Sequence, residues 1–384
     1  MLFSSPRWFT DLGVFSHALE VEFRRSREDS ANGGPRLREG SQGHPCGGAK
    51  LGRGSTGMSA EPETRPQPPD ECREWLGVGH GRTLLRHGTR GTMAAMKTIW
   101  IPGWCAVALW AAMADSSVER TVGTSEKFHG PVGLQLYSLR ESFKTNVPAT
   151  LDFVGQLGFR YVELAGTYGQ SAAEFRRWLD ERGLKAISAH FPMERFLKDP
   201  DGIAQEAKAL GLVYVGVAWY PHTAPLDETQ ARKMIADLNA AGRAMAERGL
   251  RFFYHNHGYE FQPYGDGTLM DLILRETRPD WVTFQMDLLW TVFPGQDPVS
   301  YLRRYPGRWE LMHLKDLRKG VRGDLSGRTD TRNDVVLGSG QVDFPAVLKA
   351  AQETGVKWFF IEDESPDVRE QLPKSLRYLE SVTW

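Results

Sequence analysis

Cysteine is almost absent from this sequence. Its 384 residues include Cys46, Cys72 and Cys105, and the stretch from residue 115 to 384 contains none. That stretch therefore has no disulfide bond, no thiolate metal ligand and no cysteine nucleophile. A metal site within it would have to use histidine and carboxylate side chains.

Net charge is also lacking. The 47 Lys and Arg residues are balanced by 48 Asp and Glu residues, which gives a net charge of −1 at pH 7. A general nucleic-acid binder usually carries a strong basic excess, so we expect no nucleic-acid partner. The charged and apolar fractions, 25% and 41%, are typical of a globular protein instead.

Residues 1–92 lack a sustained apolar period and, apart from Lys50, they lack lysine. They are rich in Gly, Pro and Ser, a composition typical of chain that builds no packed core. We interpret this region as a disordered extension or as a mis-annotated leader. In the second case the true start codon is Met93 or Met96.

A signal-peptide-like segment follows at residues 93–114. Lys97 supplies a positive charge, Ile99 to Trp110 is an apolar run too short to span a bilayer comfortably, and Ala112-Met113-Ala114 matches an A-x-A cleavage pattern. We expect a periplasmic or secreted protein with no stable membrane anchor once the signal is cleaved, and a linker at 115–129. If the segment is not used, the protein is cytoplasmic. A buried helix or a membrane anchor is the alternative for this segment.

From residue 130 on, five amphipathic stretches end in glycine, and an apolar run follows each of them. Glycine is the expected stop after the last helical turn, because it has no Cβ to clash at positive φ. Mostly apolar runs are typical of parallel strands that are covered on both faces. The five glycines are Gly158, Gly183, Gly211, Gly249 and Gly355.

Three further apolar runs, at 132–138, 282–287 and 310–316, bring the number of expected strands to eight. Eight strand–helix units in residues 130–384 predict a (β/α)8 TIM barrel of the α/β class. An open doubly wound sheet is the alternative. That fold would favour a glycine-rich phosphate loop after the first strand, where this chain reads YSLRESF.

The active site of a TIM barrel forms at the C-terminal ends of its strands. Strands five to eight end in His255, Asp287, His313 and Glu362, and imidazoles with carboxylates suit a divalent metal. We expect Mn²⁺ or Zn²⁺, with Co²⁺ or Fe²⁺ as alternatives. Asp287 could instead simply cap the helix that follows it.

Other predicted ligands have competing interpretations too. Glu362 could pair with Lys315 instead of a metal. On the fifth strand, His257 and Glu260 compete with His255 for the metal. His255 and His257 are two residues apart and so face the same side of a strand.

The strand-end motifs GLQLYSLRE, YVELAG, SAHFP, YHNHGYEF, QMDLLW and MHLKD together resemble the sugar phosphate isomerase/epimerase family, the xylose isomerase-like TIM barrels. The resemblance covers roughly residues 130–384. Many relatives carry a metal-binding glutamate before the Asn256-His257-Gly258 motif, where this chain has His255. In ketose epimerases such glutamates also move protons. The histidine therefore argues against simple epimerisation and favours lyase or hydratase chemistry.

The predicted activity is that of a metal-dependent sugar isomerase or epimerase. A bound metal would polarise a carbonyl of a ketose, inosose or keto-glycoside, and a base would remove the neighbouring proton to form an enediolate. Elimination by a lyase or dehydratase is the alternative, as is a sugar-binding barrel without turnover. The expected partner is a small-molecule sugar, and the chain could form a homo-oligomer. The candidate acid and base groups are Glu163, His190, Lys315 and Glu362, and the candidate substrate contacts are Tyr137, Trp219, His257, Glu260 and Trp290.

Overall fold

The structure, a computed structural model, describes residues 121–384. The predictions for residues 1–92 and 93–114 fall outside the described residues. Within the described part, no helix combines the length and the hydropathy needed to cross a lipid bilayer.

Eight parallel strands, numbered one to eight in chain order, form a closed barrel in the spatial order 1-8-7-6-5-4-3-2. Each strand pairs in parallel with both of its neighbours, and helices connect consecutive strands. This topology confirms the predicted (β/α)8 TIM barrel. The strands are β1 (Val132–Gln135), β2 (Tyr161–Leu164), β3 (Lys185–His190), β4 (Tyr214–Val217), β5 (Arg251–His255), β6 (Val282–Asp287), β7 (Trp309–Leu314) and β8 (Trp358–Ile361).

Eleven helices of the described chain surround or cap the barrel. They are α1 (Arg140–Thr145), α2 (Val147–Gln156), α3 (Ala172–Asp180), α4 (Met193–Lys198), α5 (Pro200–Leu210), α6 (Glu228–Ala246), α7 (Leu269–Glu276), α8 (Leu288–Val292), α9 (Pro298–Arg304), α10 (Phe344–Thr354) and α11 (Val368–Ser381). Short 3-10 helices lie at Leu136–Leu139, Tyr259–Phe261 and Thr331–Asn333. Two-residue antiparallel pairs join Pro263–Tyr264 to Gly267–Thr268 and Asp316–Leu317 to Asp334–Val335.

The helix ends follow from local chemistry. All five predicted stop glycines have positive φ, between 65° and 94°. Gly211 and Gly355 are the direct C-caps of α5 and α10. At the other end, the side chains of Asp199 and Asp343 accept backbone N–H groups of the first turns of the same two helices, which would otherwise lack partners.

Two strands end two or more residues earlier than predicted. The first strand ends at Gln135 and not at residue 138, because the Gln135 side chain accepts the N–H of Tyr137 and starts a 3-10 helix. The seventh strand ends at Leu314 and not at residue 316. Asp316 instead pairs with Val335 in a separate short ribbon.

The barrel interior is built in two layers. The lower layer is apolar and contains Phe253 and Phe360, both fully buried. Each ring fills space that a glycine on a neighbouring strand leaves open: a Cβ on Gly216 would lie 2.6 Å from the Phe253 ring, and one on Gly133 would lie 2.8 Å from the Phe360 ring. This layer closes the floor of the barrel. It consists of Ile187, Tyr214, Phe253, Leu311 and Phe360, with Tyr161 and Trp358 packed against them.

The described residues just before the barrel, 121–129, pack against it. The Ser125 hydroxyl donates to the carbonyl of Val382 over 2.8 Å, and Phe128 is buried edge-on against Phe359 on β8. This part of the segment that was expected to be a linker is therefore attached to the barrel.

Candidate metal centre

Above the apolar floor lies a polar layer at the C-terminal ends of the strands. The strand register places Gln135 beside Glu163, and Glu163 beside Ser188. Across the barrel the same register places His255 beside Gln285 and Asp287 beside His313. Since alternate residues of a strand face the same side, these side chains meet inside the barrel although they are far apart in sequence.

Asp287, His313 and Glu362 form a cluster that we call the acceptor triad. One possible ligand atom from each residue lies within 4.8 Å of the other two. His313 Nδ1 lies 3.0 Å from Glu362 Oε2 and 3.8 Å from Asp287 Oδ2. The triad brings together three of the four predicted metal ligands.

Asp287 supplies the test of whether this cluster suits a cation. Its Oδ1 accepts the N–H of Trp290 and caps α8, so Asp287 does cap the helix that follows it, as the alternative interpretation predicted. Its Oδ2 is buried and has no hydrogen-bond partner among residues 121–384. A buried carboxylate oxygen without a donor is costly, and a divalent cation held with His313 and Glu362 would satisfy it. The donor set therefore fits a metal such as Zn²⁺ or Mn²⁺.

His255, the fourth predicted ligand, borders the triad. Its Nε2 lies 3.6 Å from Asp287 Oδ2, and its Nδ1 lies 3.0 Å from Gln285 Oε1. It also belongs to a second group of close nitrogen ligands, formed with His190 and His313. Burial lowers the pKa of His255 well below its ordinary value, and the neighbouring His313 lowers it further. His255 is therefore neutral, the form in which imidazole binds metals.

The two competitors of His255 differ in their surroundings, and the His257 ring centre lies only 4.7 Å from that of His255. Glu260 is fully buried, and its carboxylate accepts the Tyr254 hydroxyl and the backbone N–H of His257. Burial raises the pKa of Glu260 to about 7. The Nδ1 atom of His257 is buried without a hydrogen-bond partner in the described chain. Of the three side chains, Glu260 is therefore engaged by protein groups, whereas His255 and His257 both remain candidates, one for a metal and the other for a substrate.

Glu163 lies beneath the triad and is fully engaged. Its Oε1 accepts from Gln135 Nε2 over 2.9 Å and lies 2.5 Å from His313 Nε2. Its Oε2 accepts from Ser188 Oγ over 2.6 Å and from Gln285 Nε2 over 2.7 Å. Burial alone would raise the pKa of Glu163, but the neighbouring histidines and these hydrogen bonds lower it to about 2.

His190 is likewise engaged at both ring nitrogens. Its Nε2 lies 2.9 Å from Gln285 Oε1 and its Nδ1 lies 3.4 Å from Gln135 Nε2. Burial lowers the pKa of His190, although the Glu163 carboxylate opposes the shift. The geometry gives Glu163 and His190 positions that support the triad from below, in contact with other protein groups on every polar atom.

Lys315 stands on the other side of Glu362. Its Nζ donates to Glu364 Oε1 over 2.6 Å and to Glu362 Oε2 over 3.4 Å, and it lies 3.6 Å from Asp334 Oδ2. Burial alone would lower the pKa of Lys315, but the three carboxylates outweigh it and raise the pKa well above its ordinary value. Lys315 is therefore an ammonium ion at the edge of the triad.

The charge of Lys315 also acts on the triad. Burial would raise the pKa of Glu362, but Lys315 and His313 together lower it well below its ordinary value. Burial would lower the pKa of His313, but Glu163 and Glu362 raise it. The triad thus combines an ionised carboxylate with an imidazole held in a strongly negative field, which attracts a cation.

Aromatic side chains form one wall beside the triad. The His257 ring lies between the Trp219 and Trp290 rings, at centroid distances of 5.3 Å and 5.7 Å. Lys315 Nζ lies 5.7 Å from the Trp290 ring centre. Tyr137 lies on the first 3-10 helix with the Arg140 guanidinium 4.4 Å from its ring centre. The predicted aromatic contacts therefore reach the mouth of the barrel from the loops after strands 1, 4, 5 and 6.

Five polar residues of this region were not among the predicted site residues. One is Glu364, which accepts from Lys315 and lies two positions after the predicted Glu362. Gln285 and Ser188 each lie two positions before a predicted residue, Asp287 and His190, so strand alternation could have indicated them. Gln135 ends the true first strand, three residues before its predicted end. Asp334 had no comparable signal, because it enters the site from the long connection after strand 7.

Comparison with known proteins agrees with this architecture. The family model of the xylose isomerase-like TIM barrel matches residues 151–382. The inosose dehydratase of Lacticaseibacillus casei is 26% identical over 269 aligned positions, and the match covers 60% of this chain and 88% of that protein. A sugar phosphate isomerase/epimerase from Parabacteroides distasonis ATCC 8503 has a TM-score of 0.55 at 26% identity, with 66% of this chain and 95% of that chain covered.

A solved structure of a protein named IOLI contains a zinc atom. It superimposes with a TM-score of 0.52 at 14% identity and covers 65% of this chain and 95% of that chain, a likeness that concerns the fold alone. The family match covers more than half of the chain and most of the closed eight-stranded barrel. The chain belongs to the xylose isomerase-like TIM barrel family.

Proposed function

We propose that this protein is a divalent-metal-dependent enzyme that removes the proton beside a carbonyl of an inosose or keto-sugar and then eliminates water. The observation that carries the proposal is the position of the Lys315 ammonium, 3.4 Å from Glu362 in the acceptor triad and 2.6 Å from Glu364. A β-elimination needs a base for the α-proton and an acid for the leaving hydroxyl. Carboxylate and ammonium side by side supply that pair.

The acceptor triad and His255 would hold Zn²⁺ or Mn²⁺. A divalent metal at this place supplies a Lewis acid for the carbonyl oxygen of the substrate. Glu163 and His190, the other candidate bases, have every polar atom engaged by protein groups. That leaves Glu362 and its neighbour Glu364 as the carboxylates that could take the proton.

The elimination balances within these residues. The base takes the α-proton, the C–H electron pair forms the new C=C bond, and the β C–O bond breaks. Lys315 gives a proton to the departing hydroxyl, which leaves as water. The protonated carboxyl group then returns its proton to the neutral Lys315, and both groups are restored. For Glu364 this transfer crosses the 2.6 Å contact with Lys315 Nζ. The aromatic wall of Trp219 and Trp290 would stack on the apolar face of the ring, as aromatic side chains commonly do with amphipathic ligands.

Isomerisation or epimerisation of a ketose is the second candidate. Glu362 and Glu364 both contact Lys315, and two carboxylates on one ammonium could pass a proton between adjacent carbons. The inosose dehydratase relative supports the first candidate, and the Parabacteroides relative supports the second.

The experiment is turnover of inososes, ketoses and 3-keto-glycosides by the Zn²⁺- or Mn²⁺-loaded protein in D₂O. Dehydration lowers the product mass by one water, whereas isomerisation or epimerisation keeps the mass apart from deuterium gained at the α-carbon. We expect Lys315→Met to lower kcat by about 10²- to 10⁴-fold, the usual contribution of one acid or base, with the metal content unchanged. Arg232→Met on the exposed face of α6 is the matched control. Full turnover by Lys315→Met would refute the assignment of the acid.

A further inference from the structure

The polar layer under the triad is built from buried hydrogen-bonding side chains. Gln135, Glu163 and Gln285 are all nearly or fully buried, at 1%, 0% and 0% exposure. Burial of such groups is costly unless each is paired. Each of them is paired. Which atom donates and which accepts in each hydrogen bond can be worked out in sequence, beginning at the backbone N–H of Tyr137.

The first hydrogen bond of the series has a backbone donor. The N–H of Tyr137 can only donate, so the atom of Gln135 that faces it, 2.8 Å away, is the amide oxygen. The NH₂ group of Gln135 therefore points to Glu163 Oε1 and to His190 Nδ1. His190 accepts at Nδ1, and in a neutral imidazole its proton is then on Nε2. His190 must donate from Nε2 to Gln285 Oε1.

Glu163 fixes the orientation of Gln285 independently. Its ionised carboxylate can only accept, so the Gln285 NH₂ group faces it and Gln285 Oε1 faces the histidines. Gln285 Oε1 then accepts from His190 Nε2 and from His255 Nδ1, at 2.9 Å and 3.0 Å. With the proton of His255 held at Nδ1, the lone pair of its Nε2 points to the side of Asp287 Oδ2, 3.6 Å away.

We propose that Gln285 is a positioning residue that holds the proton of His255 on Nδ1 and so makes Nε2 of His255 a metal ligand. This inference rests on the metal centre of the proposed function. Glu163 plays the corresponding part for His313. Its Oε1 lies 2.5 Å from Nε2 of His313 and holds the proton there, which leaves Nδ1 to face Glu362 and Asp287. The two histidines thus reach the metal through different nitrogens, Nε2 in His255 and Nδ1 in His313.

The test is Gln285→Met in the full-length protein, with Gln135→Met as the matched control. Both substitutions replace an amide by a thioether of similar length, and both remove one donor from Glu163. Only Gln285→Met removes the acceptor of His255. X-ray absorption at the zinc edge should count two imidazole ligands in the wild type and in Gln135→Met, and one in Gln285→Met.

Affinity provides a second readout. Competition with a chelator should show a 10- to 100-fold loss of Zn²⁺ affinity in Gln285→Met, the usual effect of removing a partner of a metal-bound histidine. If Gln285→Met does not fold, ¹⁵N-edited NMR of the zinc-loaded wild type decides, because it shows which nitrogen of His255 carries the proton. A proton on Nε2 of His255 would overturn the inference.

The outcomes separate the inference from the proposed function. If the wild-type protein binds no Zn²⁺, Mn²⁺ or Co²⁺, the metal centre itself fails. If the wild type binds Zn²⁺ through two imidazoles and Gln285→Met does so with equal affinity, the inference alone fails. The inference would also be overturned if Gln285→Met and Gln135→Met both lost one imidazole ligand and the same amount of Zn²⁺ affinity. That result would indicate general damage to the polar layer.

Discussion

Glu260 offers a stability test that needs no substrate. Its carboxyl group is fully buried and contacts the Tyr254 hydroxyl and the backbone of His257, and burial raises its pKa from 4.5 to about 7. A folded-state pKa above the unfolded one means that folding favours the protonated form. The stabilisation is therefore fully present below pH 4.5 and is lost as the pH rises through 7.

The magnitude follows from the size of the shift. About 2.5 pKa units correspond to about 3 kcal/mol, at 1.36 kcal/mol per unit, and most of this is lost between pH 5 and pH 8. Glu260→Gln cannot ionise, and its amide oxygen can still accept the N–H of His257. We expect the unfolding free energy of the variant minus that of the wild type to be about 2 to 3 kcal/mol larger at pH 8 than at pH 5.

The assay is urea unfolding of both proteins at pH 5 and pH 8, followed by circular dichroism. Glu370→Gln, on the exposed side of α11, is the control for the loss of one negative charge. A free-energy difference between Glu260→Gln and the wild type that stays constant over this range would show that Glu260 is ionised in the folded protein, and the burial argument would be wrong.

Two further results are expected from the described geometry. Metal affinity should fall by about tenfold per pH unit on acidification, because a proton competes for Nδ1 of His313, whose pKa is raised by Glu163 and Glu362. Chelator competition between pH 6 and pH 8 measures this slope. An affinity that does not change with pH would exclude His313 as a ligand. Gly216→Ala should destabilise the barrel by about 1 to 3 kcal/mol, because its Cβ would lie 2.6 Å from the Phe253 ring; urea unfolding measures this, with Gly155→Ala, where a Cβ meets nothing within 4 Å, as the control.

The fold could be predicted from the sequence because its signals are local. Glycines such as Gly211 end helices within one turn of where they stand, and the apolar runs are strands whose faces are both covered. The strand-end rule also works locally, since Asp287 and His313 each end a strand or lie one residue before its end.

The polar layer could not be predicted in the same way, because its partners are distant in sequence. Glu163 contacts Gln285, 122 residues away, and His313, 150 residues away. Only the closure of the barrel brings them together. The sequence therefore offered Glu163 as a strand-end carboxylate and a candidate base, whereas its surroundings show four contacts that leave it no free oxygen for a substrate.

The apolar floor has a consequence for the electrostatics above it. Phe253 lies directly under the polar layer, with its ring 5.3 Å from the ring of His190. Water that entered through the lower end would raise the local permittivity and weaken every charge contact above it. The apolar floor therefore keeps the permittivity around the polar layer low, so that side chains outside the polar layer influence the strength of the charge contacts within it.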